Sequence, residues 1–576
     1  MSNKQRGAQM IMLADWHPDI IEFIISKMQN PNVLRYIIET TNDEQIKQAA
    51  QEKLKFTPLT DEERAFLEAV VEHMGTVTEA GKLAQKKLKE GGTWSVHNPD
   101  FLTGANISVC ITEEFMTAVE FDLDYPLRFP AIEEYTPEEM EYYNKHWHEV
   151  GDVREWEKTG LKVRTYRYIK ARELWRLINI CATYSAEPGI FFIDTANEMT
   201  NAQAYGQKVV ATNPCGEQPL APMSVCNLAA INLSNMASFE TKQVDWDRLK
   251  EAVEIGVRLQ DNVIDATPYF LEENRKQALG ERRIGMGVMG LHDLLIKCGI
   301  RYGSKEGNEL TDKIFETIAT TAYRTSIELA KEKGSFPFLT HEDKEKELEL
   351  RMRFINSGYM KRMPEDIRQD ILKYGIRNSH LLTVAPTGST GTMIGCSTGL
   401  EPYYAFTYYR SGRLGKFIEV KAKIVEEYLK HHPEADPDQL PDYFVSAMDL
   451  TPEEHADVQC VIQRWVDSSI SKTVNAPKGY TVEQVQTIYE RLYRGGAKGG
   501  TVYVDGSRDA QVLSLTAEEN KIEEVDVQEE ISKPQEERKI GTDIGDICPI
   551  CQIGTVIESG GCHTCDNCNA QLRCGL

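Results

Sequence analysis

Positive charge is in short supply: 65 Lys plus Arg stand against 89 Asp plus Glu in 576 residues, a formal net charge of −24. Proteins that wrap duplex nucleic acid need a basic face to release counterions, so this balance excludes a nucleic-acid polymer as partner and leaves a nucleotide pocket open. Long apolar runs are missing too. No stretch of 18 or more apolar residues occurs, and residues 1–15 lack an apolar run followed by a small-residue cleavage site, which predicts a cytoplasmic protein with no membrane partner. Cysteine is sparse through residue 547, with seven in all, and then six crowd the last 29 positions. A secreted disulfide scaffold would be short and evenly stapled, so the expected chemistry is metal binding or thiol redox in a reducing compartment.

What is present is ordinary globular composition, 41% hydrophobic and 27% charged, which excludes collagen, disorder throughout and a membrane bundle. The length allows about three domains or one large α/β core. Apolar runs such as Asn106-Ile-Ser-Val-Cys110 and Gly189-Ile-Phe-Phe-Ile-Asp194 predict buried strands, and helical patterns cover 173–184, 247–266, 310–333 and 364–374. Their alternation predicts an α/β fold with parallel strands. A helical, solvent-facing insertion is expected at about 30–100, opening a helix with a capping box at Thr60-Asp-Glu-Glu63. Residues 518–546 hold eleven acidic and four basic side chains, so 514–547 read as an acidic flexible linker to a separate tail.

Four motifs carry chemistry. Gly285-Met-Gly-Val-Met-Gly290 fits a dinucleotide-binding pattern, but no hydrophobic strand precedes it and no ribose-binding acid follows. Close backbone packing before the helix at Leu291 is the better reading. Thr383-Val-Ala-Pro-Thr-Gly-Ser-Thr-Gly391 delivers an apolar run into small and hydroxyl residues, whose amides with Thr387, Gly388, Ser389 and Thr390 can surround an anion; an ordinary turn is the alternative. Asn213-Pro-Cys-Gly-Glu217 places a thiol and a carboxylate two residues apart, with Asn213 able to orient the acid and Cys226 eleven residues beyond Cys215. An inert cysteine in a turn and a Cys–His hydrolase are the alternatives there. In the tail, Cys548, Cys551, Cys565 and Cys568 have the spacing of a Zn²⁺ ribbon, which leaves Cys562 and Cys574 for thiol–disulfide exchange; the competing assignment puts Cys562 on the metal.

At Asn213-Pro-Cys-Gly-Glu-Gln-Pro-Leu220 and Ser224-Val-Cys-Asn-Leu228 the sequence resembles ribonucleotide reductase catalytic subunits. The likeness extends through Ala385-Pro-Thr-Gly388, Thr398-Gly-Leu-Glu-Pro402, Ser471-Lys-Thr-Val-Asn475, Thr501-Val-Tyr-Val-Asp-Gly-Ser-Arg508 and the tail. The resemblance implies the later part of a ten-stranded α/β barrel over 1–513 and a zinc-ribbon-like redox tail over 548–576. It implies that Cys215 becomes a thiyl radical that removes the ribose 3′ hydrogen and that Glu217 is the base for the 3′-hydroxyl. Asn213 hydrogen-bonds in the same site, Cys226 is half of the reducing dithiol, and the 387–390 loop holds the substrate phosphates.

Oxygen-dependent members of the family receive their radical through a tyrosine pair, where this chain has Tyr503-Val504, and anaerobic members carry a terminal glycyl loop, where this chain ends in Leu572-Arg-Cys-Gly-Leu576. The resemblance is therefore to the adenosylcobalamin (vitamin B12, cobalt) class, a ribonucleoside-diphosphate reductase that supplies deoxyribonucleotides for DNA synthesis and takes electrons from a thioredoxin or glutaredoxin-like dithiol; it also admits a dimer. Two rivals stand beside it: a non-catalytic zinc-ribbon binding protein on a decayed reductase body, and a reductase with a separate protein radical subunit.

Two departures from the family pattern follow. Gly391 stands where a further hydroxyl is usual. Lys4-Gln-Arg-Gly-Ala-Gln-Met10 and His17-Pro-Asp-Ile20 resemble an interior family loop, so the upstream cysteine of the dithiol, a phosphate-binding stretch and the effector helices are not in this sequence, and Cys110 lies in a different motif. The expectation is the C-terminal half of a split reductase whose partner is an N-terminal half chain, with gene fragmentation or a splice junction before Ser2 as alternatives.

Overall fold

A computed structural model of the chain describes residues 8–97, 104–412, 415–507, 513–514, 555–559, 562–565 and 571–574, with backbone alone at 408–421, 513–514, 558–559, 562–565 and 571–574. The larger of its two units, Gln9–Leu515, holds the architecture. Seven strands organise it: β1 (Met10–Ala14), β2 (Asn106–Ile111), β3 (Gly189–Phe192), β4 (Asn227–Asn232), β5 (Ile284–Met289), β6 (Thr473–Ala476) and β7 (Gly499–Val504).

β1, β2 and β3 run parallel, with Met10 opposite Asn106 and Ser108 opposite Gly189. β7 joins β3 in the antiparallel sense and β6 joins β7 in parallel, so the sheet order is β1-β2-β3-β7-β6. β4 and β5 form a second parallel group. Parallel bridges carry that group on from Met286 to Leu382 and from Val384 to Ile470. The chain then passes from the second group to the first, because β6 begins at Thr473. These seven strands form a mixed, mostly parallel α/β array, and among the described residues no strand pairing joins the two groups into a closed barrel.

Burial explains the pairing. Five of the six β2 residues and all six of β5 are buried, the pattern of strands covered on both faces. Helix Ala171–Ser185 buries Leu174, Ile178 and Cys181, and helix Val482–Arg494 buries Val485, Ile488 and Leu492. These apolar stripes at helical spacing share one core cluster with β2, β3, β6 and β7 residues. Helices Trp246–Ala266 and Lys305–Lys333 supply the second core, around β4 and β5.

The expected insertion is more than helical. An antiparallel pair, Leu54–Pro58 with Gly92–Val96, carries helices Asp61–Met74 and Glu79–Glu90. The capping box at Thr60 is present: Glu63 N donates to Thr60 Oγ1 at 3.2 Å and Thr60 N to Glu63 Oε2 at 2.7 Å. Helix Asp61–Met74 has no buried residue. The linker expected at 514–547 lies outside the described residues except for Ser514. In the second unit, Val556–Ser559, Cys562–Cys565 and Gln571–Cys574 form a three-stranded antiparallel sheet with Cys562 across from Cys574 and Val556 across from Cys565.

Candidate active site

Short strands Ala211–Thr212 and Pro219–Leu220 pair as a hairpin whose tip is the Asn213–Gln218 loop. Asn213 closes it: its Oδ1 accepts from Gln218 N at 2.9 Å and its N–H donates to Gln218 O at 3.3 Å. Gly216 N donates to Asn213 O at 3.0 Å, with Gly216 at φ +79°. This left-handed turn, which glycine adopts without strain, leaves Cys215 exposed at the tip while Glu217 points inward.

The returning leg is anchored to the second strand group. Glu217 O accepts from Ser469 N at 2.9 Å and from Thr383 Oγ1 at 2.7 Å. The Glu217 side chain is buried, and its Oε2 has no hydrogen-bond partner among the described residues. Burial pushes its carboxyl above the ordinary range, opposed in part by the loop backbone and the Asn213 side chain. Burial raises the Cys215 thiol as well, and the Glu217 carboxylate adds to that rise.

Cys226 precedes β4, and β5 lies against it. A Cβ placed on Gly285 would meet Cys226 Sγ, Leu228 Cδ2 and Thr383 Cγ2, each at 2.8 Å. Burial lifts the Cys226 thiol well above its ordinary value; Arg283 opposes the shift, while Glu281, Asp467 and Glu217 reinforce it. Asn213, Cys215, Glu217 and Cys226 are thus brought to one place, with the Glu217 carboxylate felt by both thiols.

The run containing Thr383 continues to the hydroxyl loop. Thr387, at φ +46°, begins the short helix Gly388–Ile394; its Oγ1 accepts from Gly399 N at 2.7 Å, and Ser389 and Thr390 are exposed. Thr387 follows Thr383 by four positions, a span of at most about 14 Å, so one short run tethers the hydroxyl loop to Glu217, whose carbonyl Thr383 Oγ1 contacts. Gly391 is buried, and a Cβ on it would stand 2.9 Å from Thr398 Cγ2. The hydroxyl missing at this position is excluded by close packing.

The motif at 285–290 is itself strand β5 followed by a turn. Gly287 is forced by the neighbouring run, since its Cβ would lie 2.3 Å from Thr383 O, and Gly290 begins helix Leu291–Cys298 at φ +76°. A buried set of titratable residues that the sequence did not reveal lies near the site: Glu281, Arg283, His380, Asp467 and Lys498. Of the tail cysteines, Cys548, Cys551 and Cys568 lie outside the described residues, and Cys562, Cys565 and Cys574 are placed by backbone register alone. Among the described residues no group of three or more His, Cys, Asp or Glu is arranged to hold a metal ion, and no helix is long and apolar enough to cross a membrane.

A thiol–carboxylate hairpin anchored to a mostly parallel core array defines an α/β protein with a candidate thiol site. Residues 1–503 match the ribonucleotide reductase barrel domain, and the chain belongs to that family. It is 34% identical over 401 residues to a vitamin B12-dependent ribonucleoside-diphosphate reductase of Thermoplasma acidophilum, covering 66% of this chain and 49% of the relative. A protein of the same name from Mycobacterium tuberculosis is 32% identical over 444 residues, 74% of this chain and 54% of the relative. A ribonucleoside-diphosphate reductase subunit alpha of Chlamydia pneumoniae is 26% identical over 503 residues, 81% and 41% of the two chains. The chain spans about half the length of the relatives it matches.

Proposed function

We propose that the chain provides the radical and redox half of an adenosylcobalamin-dependent ribonucleotide reductase. One observation carries this reading. A buried carboxylate with an unpartnered oxygen, Glu217, shares a six-residue loop with the exposed thiol of Cys215 and interacts electrostatically with the thiol of Cys226. A structural turn has no use for an unsatisfied buried acid.

The residues present fit the cofactor through the chemistry of Cys215, whose thiol stands open at a hairpin tip and can meet a large group from outside. When bound, adenosylcobalamin supplies the homolytic step that leaves the Cys215 sulfur as a thiyl radical. Cys215 then takes the 3′ hydrogen atom of the ribose. Glu217 accepts the 3′-hydroxyl proton as the 2′-hydroxyl departs as water, and the Asn213 side chain steadies that carboxylate. Cys226 and a second cysteine, assigned to the part of the relatives that lies outside the match, give two electrons and two protons and become a disulfide. Thr387–Thr390 hold the phosphates, with backbone amides and hydroxyls as donors.

The tail completes the cycle in this reading. Cys562 and Cys574 re-reduce the internal disulfide and are themselves reduced by a thioredoxin-type dithiol, while Cys548, Cys551, Cys565 and Cys568 hold Zn²⁺. The backbone register of Cys562 opposite Cys574 supports the redox pairing. A separate protein radical subunit is the second reading, favoured by the presence of Tyr503 among the charges that act on the half-buried Tyr404 phenol, after burial and Asp505; it requires that Tyr404→Phe abolish turnover.

The test combines the chain with a polypeptide supplying the first half of a relative, adenosylcobalamin, dithiothreitol, and ribonucleoside di- or triphosphates. Deoxyribonucleotide is expected with wild type and not with Cys215→Ser, which should unfold at the wild-type temperature. Robust turnover by the chain alone would remove the need for a complementary half, and turnover by Cys215→Ser would sink the reading.

A further inference from the structure

In the reductase reading Cys226 must form and reopen a disulfide, and the structure holds a group suited to govern its sulfur. The parallel register sets Asn227 opposite Ile284, so Cys226 and Arg283, each one residue ahead of its strand, stand at the same end of the pair. The Cys226 sulfur lies where Gly285 would carry its Cβ, and the Arg283 charge acts on it.

Arg283 is 2% exposed. Its Nη1 donates to Pro219 O at 3.3 Å, on the returning leg of the Cys215 hairpin, and its Nε stands 3.4 Å from Glu281 Oε1. Glu281 in turn accepts from Tyr205 Oη at 3.0 Å and from the Ser224 hydroxyl, two residues ahead of Cys226. The Arg283–Glu281 pair therefore holds the stretch between the two thiols at two points, Pro219 and Ser224. The charges acting on the sulfur are Arg283 from the start of β5, Glu281 from the preceding helix, Glu217 from the hairpin and Asp467 from the loop before β6. Arg283 is the only cation among them. Behind it, His380 Nε2 lies 3.5 Å from Arg283 Nη2 and is kept neutral by burial and by that cation, while burial brings Lys498 down to about 7.

We propose that Arg283 is the positioning residue for Cys226, a counter-ion fixed by Glu281 and Pro219 that stabilises the Cys226 thiolate released when the disulfide opens. The thiolate of a dithiol reductant attacks the sulfur joined to Cys226 and forms a new S–S bond. The old S–S bond breaks, its electron pair goes to Cys226 Sγ, and the anion rests against Arg283 until a solvent proton neutralises it; the reductant supplies both electrons. The proposal rests on the redox role given to Cys226 above, but its test does not need turnover.

The experiment is iodoacetamide alkylation of the full chain across pH 6–10, with Cys226 and Cys215 resolved by tandem mass spectrometry and folding checked by circular dichroism. Arg283→Met is expected to slow Cys226 on the order of tenfold at pH 8 while leaving Cys215 unchanged, the size of one unit of thiol pKa. Arg283→Lys should recover most of that loss. Glu281→Gln, isosteric and available should Arg283→Met fail to fold, should speed Cys226 by removing an opposing anion. Equal slowing by Met and Lys, parallel slowing of both cysteines, or a slower Cys226 in Glu281→Gln would each overturn the counter-ion role. Loss of nucleotide reduction with these rates intact would instead count against the function alone.

Discussion

Glu217 is 2% exposed and its Oε2 has no hydrogen-bond partner among the described residues, so its acid is held at a cost in stability that the proposed reaction would account for. Burial raises its pKa in the fold above the unfolded value. The folded state thus favours the protonated form: the stability it contributes is fully present below the unfolded pKa and is lost as pH rises through the raised folded one. Glu217→Gln should therefore gain about 1 kcal/mol at pH 8, lose that gain near pH 4, and abolish deoxyribonucleotide formation. Thermal melts at both pH values decide it; an equal gain at each would point to packing. For the same reason the wild-type rate should fall on the acid side at a pH above the ordinary carboxylate range, because the base must be ionised. At this scale the sequence made Asn213, Cys215 and Glu217 legible because their spacing is local. Arg283 was not legible: with 27% of residues charged, nothing nearby marks it, and it is buried by contacts with Pro219 and His380, 64 and 97 positions away.

Among the elements, β5 shows how a motif can be read in the right place for a different purpose. Its glycines are packed against neighbouring protein atoms. They let the Thr383 run and Cys226 close in on the strand, and the pattern at 285–290 was ambiguous because glycine spacing records where a backbone must be approached without naming what approaches. Gly285→Ala would thrust a methyl against three side-chain atoms at 2.8 Å, one of them Cys226 Sγ. A loss of about 1–3 kcal/mol in urea unfolding is expected, together with a changed Cys226 alkylation rate at unchanged Cys215; a wild-type profile in both would show that the site has room. The paired strands of the insertion escaped notice because Leu54–Pro58 buries none of its residues, so no alternation of buried and exposed positions marks it. Its helix Asp61–Met74 also buries nothing. Helix Glu79–Glu90 buries only Gly81 and Ala84, so replacing 59–91 by a two-residue turn between the paired strands should lower the melting temperature by no more than a few degrees; a larger loss would mean that the helices brace the body.

For the molecule as a whole, cysteine density sets the last 29 residues apart in the sequence, but C-x-x-C spacing suits metal and redox work alike and does not divide the tail cysteines between the two proposed roles. Backbone register adds what spacing lacks. Cys562 stands across from Cys574, whereas Cys565 stands across from Val556. Two cysteines opposed on antiparallel strands are placed for a disulfide, so Cys562→Ser and Cys574→Ser should behave alike and Cys565→Ser should not. In the proposed cycle the redox pair would matter only when the electron donor is too large to reach Cys226 directly: a protein dithiol would need the tail as intermediary, whereas dithiothreitol would be small enough to attack the internal disulfide unaided. Both Cys562→Ser and Cys574→Ser should therefore stop turnover driven by thioredoxin, keep turnover driven by dithiothreitol, and retain wild-type zinc content by atomic emission, while Cys565→Ser loses zinc. Zinc loss in Cys562→Ser would move that residue to the metal set, and equal loss of turnover with both donors would refute the shuttle.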